Sequence, residues 1–99
     1  MMSAIAATGA ARFPLGQLVA TRGALDAMTE SGQSPVEFLR RHSRLEQGEL
    51  SEADHQENLL GVDQGFRILS AYKTGRGVKL WVITEADRSA TAIMLPSEY

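Results

Sequence analysis

The densest run of side chains able to do chemistry is Thr84–Thr91, which holds two carboxylates, a guanidinium and three hydroxyl groups. Glu85, Asp87 and Arg88 could form a binding loop that presents charge to a ligand, since rigid scaffolds often place function on loops. The same run could instead be a turn tied by Asp87 and Ser89 to its own backbone, with an ion pair at its rim. It is the first candidate for a functional surface.

A second charged stretch, residues 46–57, contains five acidic residues and no Lys or Arg. Glu52, Asp54 and Glu57 fall on one predicted helix, where they would form an acidic surface suited to a basic groove on another protein. The net charge of the chain is −2. This balance argues against a dedicated nucleic-acid binder, because such proteins depend on neutralising phosphate charge.

The two histidines, His42 and His55, do not form a recognisable catalytic or metal site. They lack the spacing and the third ligand of a zinc site, and the absence of cysteine excludes thiolate chemistry and disulfides. Glu52 or Asp54 could assist His55 in acid–base chemistry, but a surface or boundary histidine is the simpler interpretation. No phosphate-binding glycine motif or nucleophile elbow occurs. We predict no catalytic residue, no metal and no cofactor.

Two alternatives to a binding protein stay open. Small toxin ribonucleases cleave RNA with scattered polar groups on a helix-plus-sheet scaffold, and this chain holds such a set: His55, Arg67, Tyr72, Lys73, Thr84 and Arg88. Sets of this kind occur by chance in most domains of this size, and the acidic balance opposes RNA affinity. A small DNA-binding regulator is disfavoured by the charge and by the lack of a helix-turn-helix pattern.

The elements that position these residues follow from hydrophobic periodicity and from start and stop signals. Three N-cap signals predict three short helices before Gly65: Thr21, Ser34-Pro35 and Ser51. The pattern then alternates, which predicts three strands at residues 66–73, 78–84 and 90–95. The connections are short and force antiparallel pairing. The expected fold class is therefore α+β: short N-terminal helices followed by a three-stranded antiparallel β-meander.

Both faces of the predicted sheet carry large apolar groups, whereas a sheet packed on one side should alternate more cleanly. The three helices can cover one face. The other face carries Leu69, Trp81, Ile83 and Met94. The segment Phe13–Ala20, a short strand or an extended stretch, could close this second face, or a second protein chain could, including another copy in a homodimer. Trp81 is accordingly either a core residue or an interface anchor.

The composition is that of one globular domain: 99 residues, of which 43% are hydrophobic and 22% charged. We predict a disordered or frayed tail at residues 1–12 and a single α+β domain at 13–99. The lack of cysteine in so small a chain predicts a reducing compartment, the cytoplasm. No signal-peptide pattern and no apolar run of membrane-spanning length is present, so no membrane contact is expected.

Three stretches resemble a family of small proteins encoded on bacterial plasmids, integrative elements and phages: FPLGQLVATRGAL at 13–25, GFRILSAY at 65–72 and KLWVITEADRSATAIMLPSEY at 79–99. The family has no assigned activity. Its members often carry a Trp-Gly pair before the third helix, where this chain reads Arg44–Glu49 without tryptophan. The resemblance implies a mobile-element setting. The leading hypothesis is a non-enzymatic protein-binding factor that inhibits a host defence system of the anti-CRISPR or anti-restriction type.

Overall fold

A computed structural model describes residues 11–99 of the chain. These residues form β1 (Gln17–Ala20), α1 (Arg22–Glu30), α2 (Pro35–Ser43), α3 (Glu52–Gln64), β2 (Ile68–Lys73), β3 (Lys79–Thr84), β4 (Ala90–Met94) and a 3₁₀ helix (Pro96–Glu98). The α+β class and the three predicted helices are confirmed. The predicted tail lies outside the described residues except for its last two positions, where the amide of Arg12 donates to the Ser43 carbonyl at 2.7 Å.

The described sheet has four strands in the order β1-β4-β3-β2, where the sequence predicts three. β2, β3 and β4 pair antiparallel, and β1 pairs parallel with β4, so the sheet is mixed. The prediction of a three-stranded, purely antiparallel sheet is therefore wrong. The sequence allowed a short strand here but did not place it in the sheet, because β1 has only four residues and its partner lies at the other end of the chain.

β1 reaches the sheet through a close approach at Gly16. This residue has φ +67, and a Cβ on it would collide with the carbonyl oxygen of Ser89, so only glycine fits. The amide of Gln17 then donates to Ser89, and that of Thr21 to Ile93, both at 3.0 Å. The short-strand interpretation of this segment is confirmed. The segment extends the sheet and does not close its second face.

The helices begin where the sequence predicts. The side chains of Thr21, Ser34 and Ser51 accept hydrogen bonds from the amides of Ala24, Val36 and Asp54, respectively. Each bond satisfies an amide that has no partner inside the helix. Gly65, with φ +77, ends α3 in the left-handed conformation that glycine tolerates best.

The main hydrophobic core lies between α1, α2 and one face of the sheet. Its largest buried side chains are Met28, Phe38, Tyr72, Leu80 and Ile93. A smaller cluster of Phe13, Leu45 and Ile68, with Leu59 and Val62 of α3 packed against it, fills the other end of the same layer. The helices thus cover one face, as the sequence predicts.

The second sheet face is partly covered within residues 11–99. Tyr99 packs edge-on against Trp81, with ring centroids 5.6 Å apart. Ile83 is buried, while Leu69, Trp81 and Met94 remain half-buried. The 3₁₀ helix that precedes Tyr99 contacts β3, and the half-buried side chains of this face keep part of their surface open to solvent.

Candidate functional site

The β3–β4 turn, the first candidate in the sequence, is held by its own polar groups. Asp87 Oδ1 accepts a hydrogen bond from the amide of Ser89 at 3.0 Å. Hydrogen bonding from Ser89, through its side chain and its amide, lowers the pKa of Asp87. The carbonyl of Glu85 accepts from the amide of Arg88, and the Glu85 side chain is exposed. The turn has the local bonding that its structural interpretation predicts.

Arg88 is committed to the backbone of a neighbouring element. Its guanidinium donates to the carbonyl oxygens of Phe66 at 2.7 Å and Gly61 at 3.0 Å, and it lies 5.6 Å from the centroid of the Phe13 ring. Gly61 also accepts from the amides that end α3. Arg88 therefore ties the β3–β4 turn to the end of α3, and its donors are engaged within the fold.

A groove of about 380 Å³ opens between α3 and the outer edge of β2. Its lining combines acidic, apolar and basic side chains: Leu50, Asp54, Glu57, Asn58, Leu60, Phe66, Arg67 and Leu69. A concave site of this size, with a few polar groups among apolar ones, is typical of ligand and side-chain pockets. It is the candidate functional site of the described residues.

The acidic wall of the groove comes from α3. Asp54 and Glu57 share one side of the helix because they are three positions apart. The ion pairs found within residues 11–99 use other carboxylates, so neither of these two is held in an ion pair there. Glu52 lies outside the lining and accepts from Gln56 Nε2 at 2.9 Å. The structure thus brings two of the three predicted acidic residues to one site.

The apolar wall is unusually open. Leu60 is 56% exposed and Phe66 is 58% exposed. Phe66 lies in the connection after α3 and not in a strand, because β2 begins at Ile68. Large apolar side chains grouped around one cavity often mark a binding surface. Covering them with a partner removes apolar area from water, which favours binding.

Arg67 and Tyr99 connect the groove to Trp81. Arg67 Nη1 donates to Tyr99 Oη at 2.6 Å, and the guanidinium lies 5.5 Å from the centroid of that ring. Tyr99 in turn packs against Trp81. Trp81 belongs to neither buried cluster and is half-buried, which lies between its two predicted roles of core residue and interface anchor. It forms the far end of a surface that begins at the acidic wall.

Asn58 closes the sheet edge at the base of the groove. Its Nδ2 donates to the Leu69 carbonyl at 2.7 Å, and its Oδ1 accepts from the Leu69 amide at 3.2 Å. The amide of Glu49 donates to the Ala71 carbonyl at 2.7 Å. Because these backbone groups of β2 are already satisfied, a ligand in the groove would bind side chains and would not add a strand to the sheet.

The ribonuclease set does not form one accessible site. Tyr72 and Thr84 are fully buried, and Arg88 is engaged with backbone carbonyls. Lys73 lies 3.8 Å from Glu49, with which it forms an ion pair. His55 is half-buried on α3. This arrangement gives the ribonuclease alternative no support.

A buried polar network around His42 is a feature that the sequence reading missed. His42 Nδ1 lies 2.7 Å from Ser70 Oγ, and Nε2 lies 2.8 Å from Thr84 Oγ1. Thr84 Oγ1 is 2.7 Å from Thr91 Oγ1, which donates to the Leu15 carbonyl at 2.7 Å. All four side chains are buried, so the network stabilises the fold and offers no accessible group to a substrate.

The direction of each bond in this network follows from its last member. Thr91 gives its only hydroxyl proton to Leu15, so Thr84 donates to Thr91 and accepts from His42 Nε2–H. Neutral His42 then accepts at Nδ1 from Ser70. Burial lowers the pKa of His42 to about 4. The position of His42 one helical turn after the apolar Phe38 is the sequence signal that could have placed it in the core.

Comparisons with protein-family models, with curated proteins and with solved structures found no match to this chain. The resemblance to mobile-element proteins therefore stays a hypothesis. Within the described residues, no group of three or more His, Cys, Asp or Glu side chains is placed to hold a metal ion. The helices of residues 11–99 also lack the length and apolar character needed to cross a bilayer.

Proposed function

We propose that this chain is a non-enzymatic protein-binding factor whose binding site is the groove between α3 and β2. The observation that supports it is the meeting of two carboxylates, Asp54 and Glu57, with the exposed Leu60 and Phe66 around one cavity. A partner that covers both walls would remove apolar surface from water and form charge-assisted contacts.

The lining specifies the chemistry of the partner. Two carboxylates without a described cationic partner favour Lys or Arg, and the exposed apolar residues of the lining favour a large apolar side chain. A volume of about 380 Å³ accommodates one or two such side chains from a protein segment. The aromatic pair Trp81 and Tyr99 would add contact area beyond the groove, since such residues often anchor interfaces.

The resemblance to mobile-element proteins gives this proposal a biological setting. In that setting the chain would inhibit a host defence complex by placing acidic α3 in a basic channel that the complex uses for nucleic acid. Glu52, in the first turn of α3, would extend the negative charge beyond the groove.

A display library of short random peptides tests the groove. The chain should select peptides in which Lys or Arg lies within a few positions of a large apolar residue. The double variant Asp54→Asn, Glu57→Gln should bind the selected peptides at least tenfold more weakly, about 1.4 kcal/mol. Added salt should weaken binding to the unmodified chain, because exposed charges are screened.

Glu52→Gln is the control, and it matches the single variant Glu57→Gln because each removes one negative charge from the same helix, inside the groove at Glu57 and outside it at Glu52. The peptide affinity of Glu52→Gln should change less than about twofold, as expected for an exposed charge outside the binding site. Peptides without a basic residue, or equal binding by the double variant, would contradict the proposal. Growth arrest on expression that requires His55 would favour the ribonuclease alternative.

The host setting needs a separate experiment. Tagged chain and its double variant at positions 54 and 57 are used to capture proteins from host cells, and mass spectrometry identifies what each retains. The setting predicts that a nucleic-acid-binding defence complex is recovered with the unmodified chain and lost with the variant. Groove-dependent peptide binding without such a complex would keep the binding function and reject the setting.

A further inference from the structure

On the outer edge of β1, backbone N–H and C=O groups point away from the sheet. In the sheet formed by residues 11–99, β1 is the terminal strand and has β4 as its neighbour. The amides of Gln17 and Thr21 donate to carbonyl oxygens of β4 and of the residue before it, both at 3.0 Å. Because neighbouring residues of a strand direct their backbone groups to opposite edges, the amides and carbonyls of Leu18 and Ala20 point outward.

The side chains of β1 are open as well. Leu18 is 53% exposed and Val19 is 48% exposed. Proteins usually protect a sheet edge with charged residues, proline, a bulge or a covering element. The strand QLVA contains neither charge nor proline, and among residues 11–99 its four-residue length is the one such device. β1 therefore has the properties of a strand that accepts another strand.

We infer that β1 pairs with β1 of a second copy of this chain. Two antiparallel β1 strands related by a two-fold axis at Val19 place Leu18 of each copy opposite Ala20 of the other. These are the residues whose backbone groups point outward, so this register forms four backbone hydrogen bonds. Val19 then faces Val19 in a non-hydrogen-bonded pair, where side chains approach most closely. The two four-stranded sheets become one continuous sheet.

The occupant is a second copy because β1 complements itself. A two-fold dimer uses the same surface on both subunits, and the outward donors and acceptors of Leu18 and Ala20 match their own rotated set. The strand is uncharged, so two copies meet without repulsion, whereas a foreign strand would find no charge to select it.

The small area of this interface limits the affinity between the two copies. Two strands of four residues cover far less than the roughly 800 Å² per partner of a standard interface. The structure therefore assigns a monomer–dimer equilibrium that favours the dimer at high protein concentration, and not an obligate dimer.

Cysteine cross-linking tests the register, because the chain contains no cysteine of its own. Val19→Cys places two thiols across the two-fold axis, with Cα atoms about 4.5 Å apart, within the range for a disulfide. Gln17→Cys is the matched control: it is exposed on the same face but lies opposite Thr21 of the other copy. Under mild oxidation Val19→Cys should form the linked dimer at least tenfold faster.

Charge variants give a second readout by analytical ultracentrifugation. Val19→Lys and Val19→Glu should each associate at least tenfold more weakly than the unmodified chain, because like charges would face each other. An equimolar mixture of the two should recover association. Leu18→Pro removes an outward amide without removing a bond to β4, so it should also block association while the monomer stays folded.

Equal cross-linking of the two cysteine variants would overturn the pairing, as would an unmodified chain that stays monomeric at millimolar concentration. A dimer that survives Val19→Lys but is lost in Trp81→Ser would place association on the second sheet face. Leu60→Ser, in the groove, should leave self-association unchanged. Failure of this pairing and failure of the proposed peptide-binding groove are therefore distinguishable.

Discussion

The two edges of the sheet differ in what they offer to a partner. At β2, Asn58 satisfies both backbone groups of Leu69, and the loop before α3 satisfies the carbonyl of Ala71. At β1, the backbone groups of Leu18 and Ala20 point outward beside exposed side chains. Beside the groove, the β2 edge therefore offers side chains to a partner, because its backbone groups at Leu69 are already bonded. The β1 edge can contribute backbone hydrogen bonds, so the two proposed interactions use separate chemistry.

The largest expected effect comes from forcing the loop away from the β2 edge. Gly48 has φ +56, and a Cβ on it would collide with the Ala71 carbonyl and the Tyr72 ring. Gly48→Ala should lower the free energy of unfolding by about 4 kcal/mol, from backbone strain plus overpacking. Urea denaturation measures this loss.

Gly32→Ala is the control for the Gly48 variant. Gly32 also has a positive φ, +70, but a Cβ there has no atom within 4 Å. It should cost only the backbone term, about 1 kcal/mol. Equal losses for the two variants would mean that the fit of the loop against β2 contributes little to stability.

Acid should lower the free energy of unfolding through His42, whose network joins side chains of β2, β3 and β4 and ends at Leu15 just before β1. Its pKa is about 4 in the folded chain and near 6.5 when unfolded, so the unfolded state binds the proton first. The contribution of His42 to the free energy of unfolding should be fully present above pH 6.5. It should fall by roughly 3 kcal/mol as the pH drops to about 4.

Urea denaturation across this pH range tests the role of His42. His42→Gln should remove most of the dependence of the unfolding free energy on pH between 6.5 and 4. Asn58→Ala should keep this dependence, because the bonds between Asn58 and the Leu69 backbone involve no titrating side chain. An unchanged slope in His42→Gln would assign the acid sensitivity to the carboxylates instead.

A smaller loss of stability is expected from removing the Asn58 side chain, which bonds the outer edge of β2. Asn58→Ala leaves the amide and carbonyl of Leu69 without their partner, which should cost about 2 kcal/mol. Gln56→Ala, an exposed position two residues earlier, should change stability by less than about 0.5 kcal/mol. The measurement is again the urea midpoint. If Asn58→Ala is as harmless as Gln56→Ala, the two edges do not differ in the way proposed.

The sequence predicted the parts of this fold that depend on neighbouring residues. N-cap side chains at Thr21, Ser34 and Ser51 and the αL glycine at Gly65 act within a few positions of the chain, so their signals are local. The antiparallel pairing of β2, β3 and β4 follows from short turns in the same way. β1 was open to two interpretations because its pairing depends on residues at the other end of the chain.

In the candidate site, too, local relationships could be predicted from the sequence and contacts between distant residues could not. Asp54 and Glu57 could be assigned to one helix side from their spacing, but their apolar partner Phe66 was predicted inside a strand. Arg88 looked available as a ligand-binding group because nothing local reveals that its guanidinium reaches the end of α3. Such contacts between distant elements arise only when the chain is folded.

The parallel pairing of β1 with β4 has a consequence for how the chain folds. Thr91 and Leu15, which the pairing brings together, are 76 positions apart. The hairpins of β2, β3 and β4 close short loops, whereas docking β1 requires closing most of the chain, so it should come late. Until then β4 is an open edge, and the β1 strand of a neighbouring molecule competes with the chain's own. Refolding at high protein concentration would therefore favour dimers that exchange β1 over monomers in which β1 pairs with the β4 of its own chain.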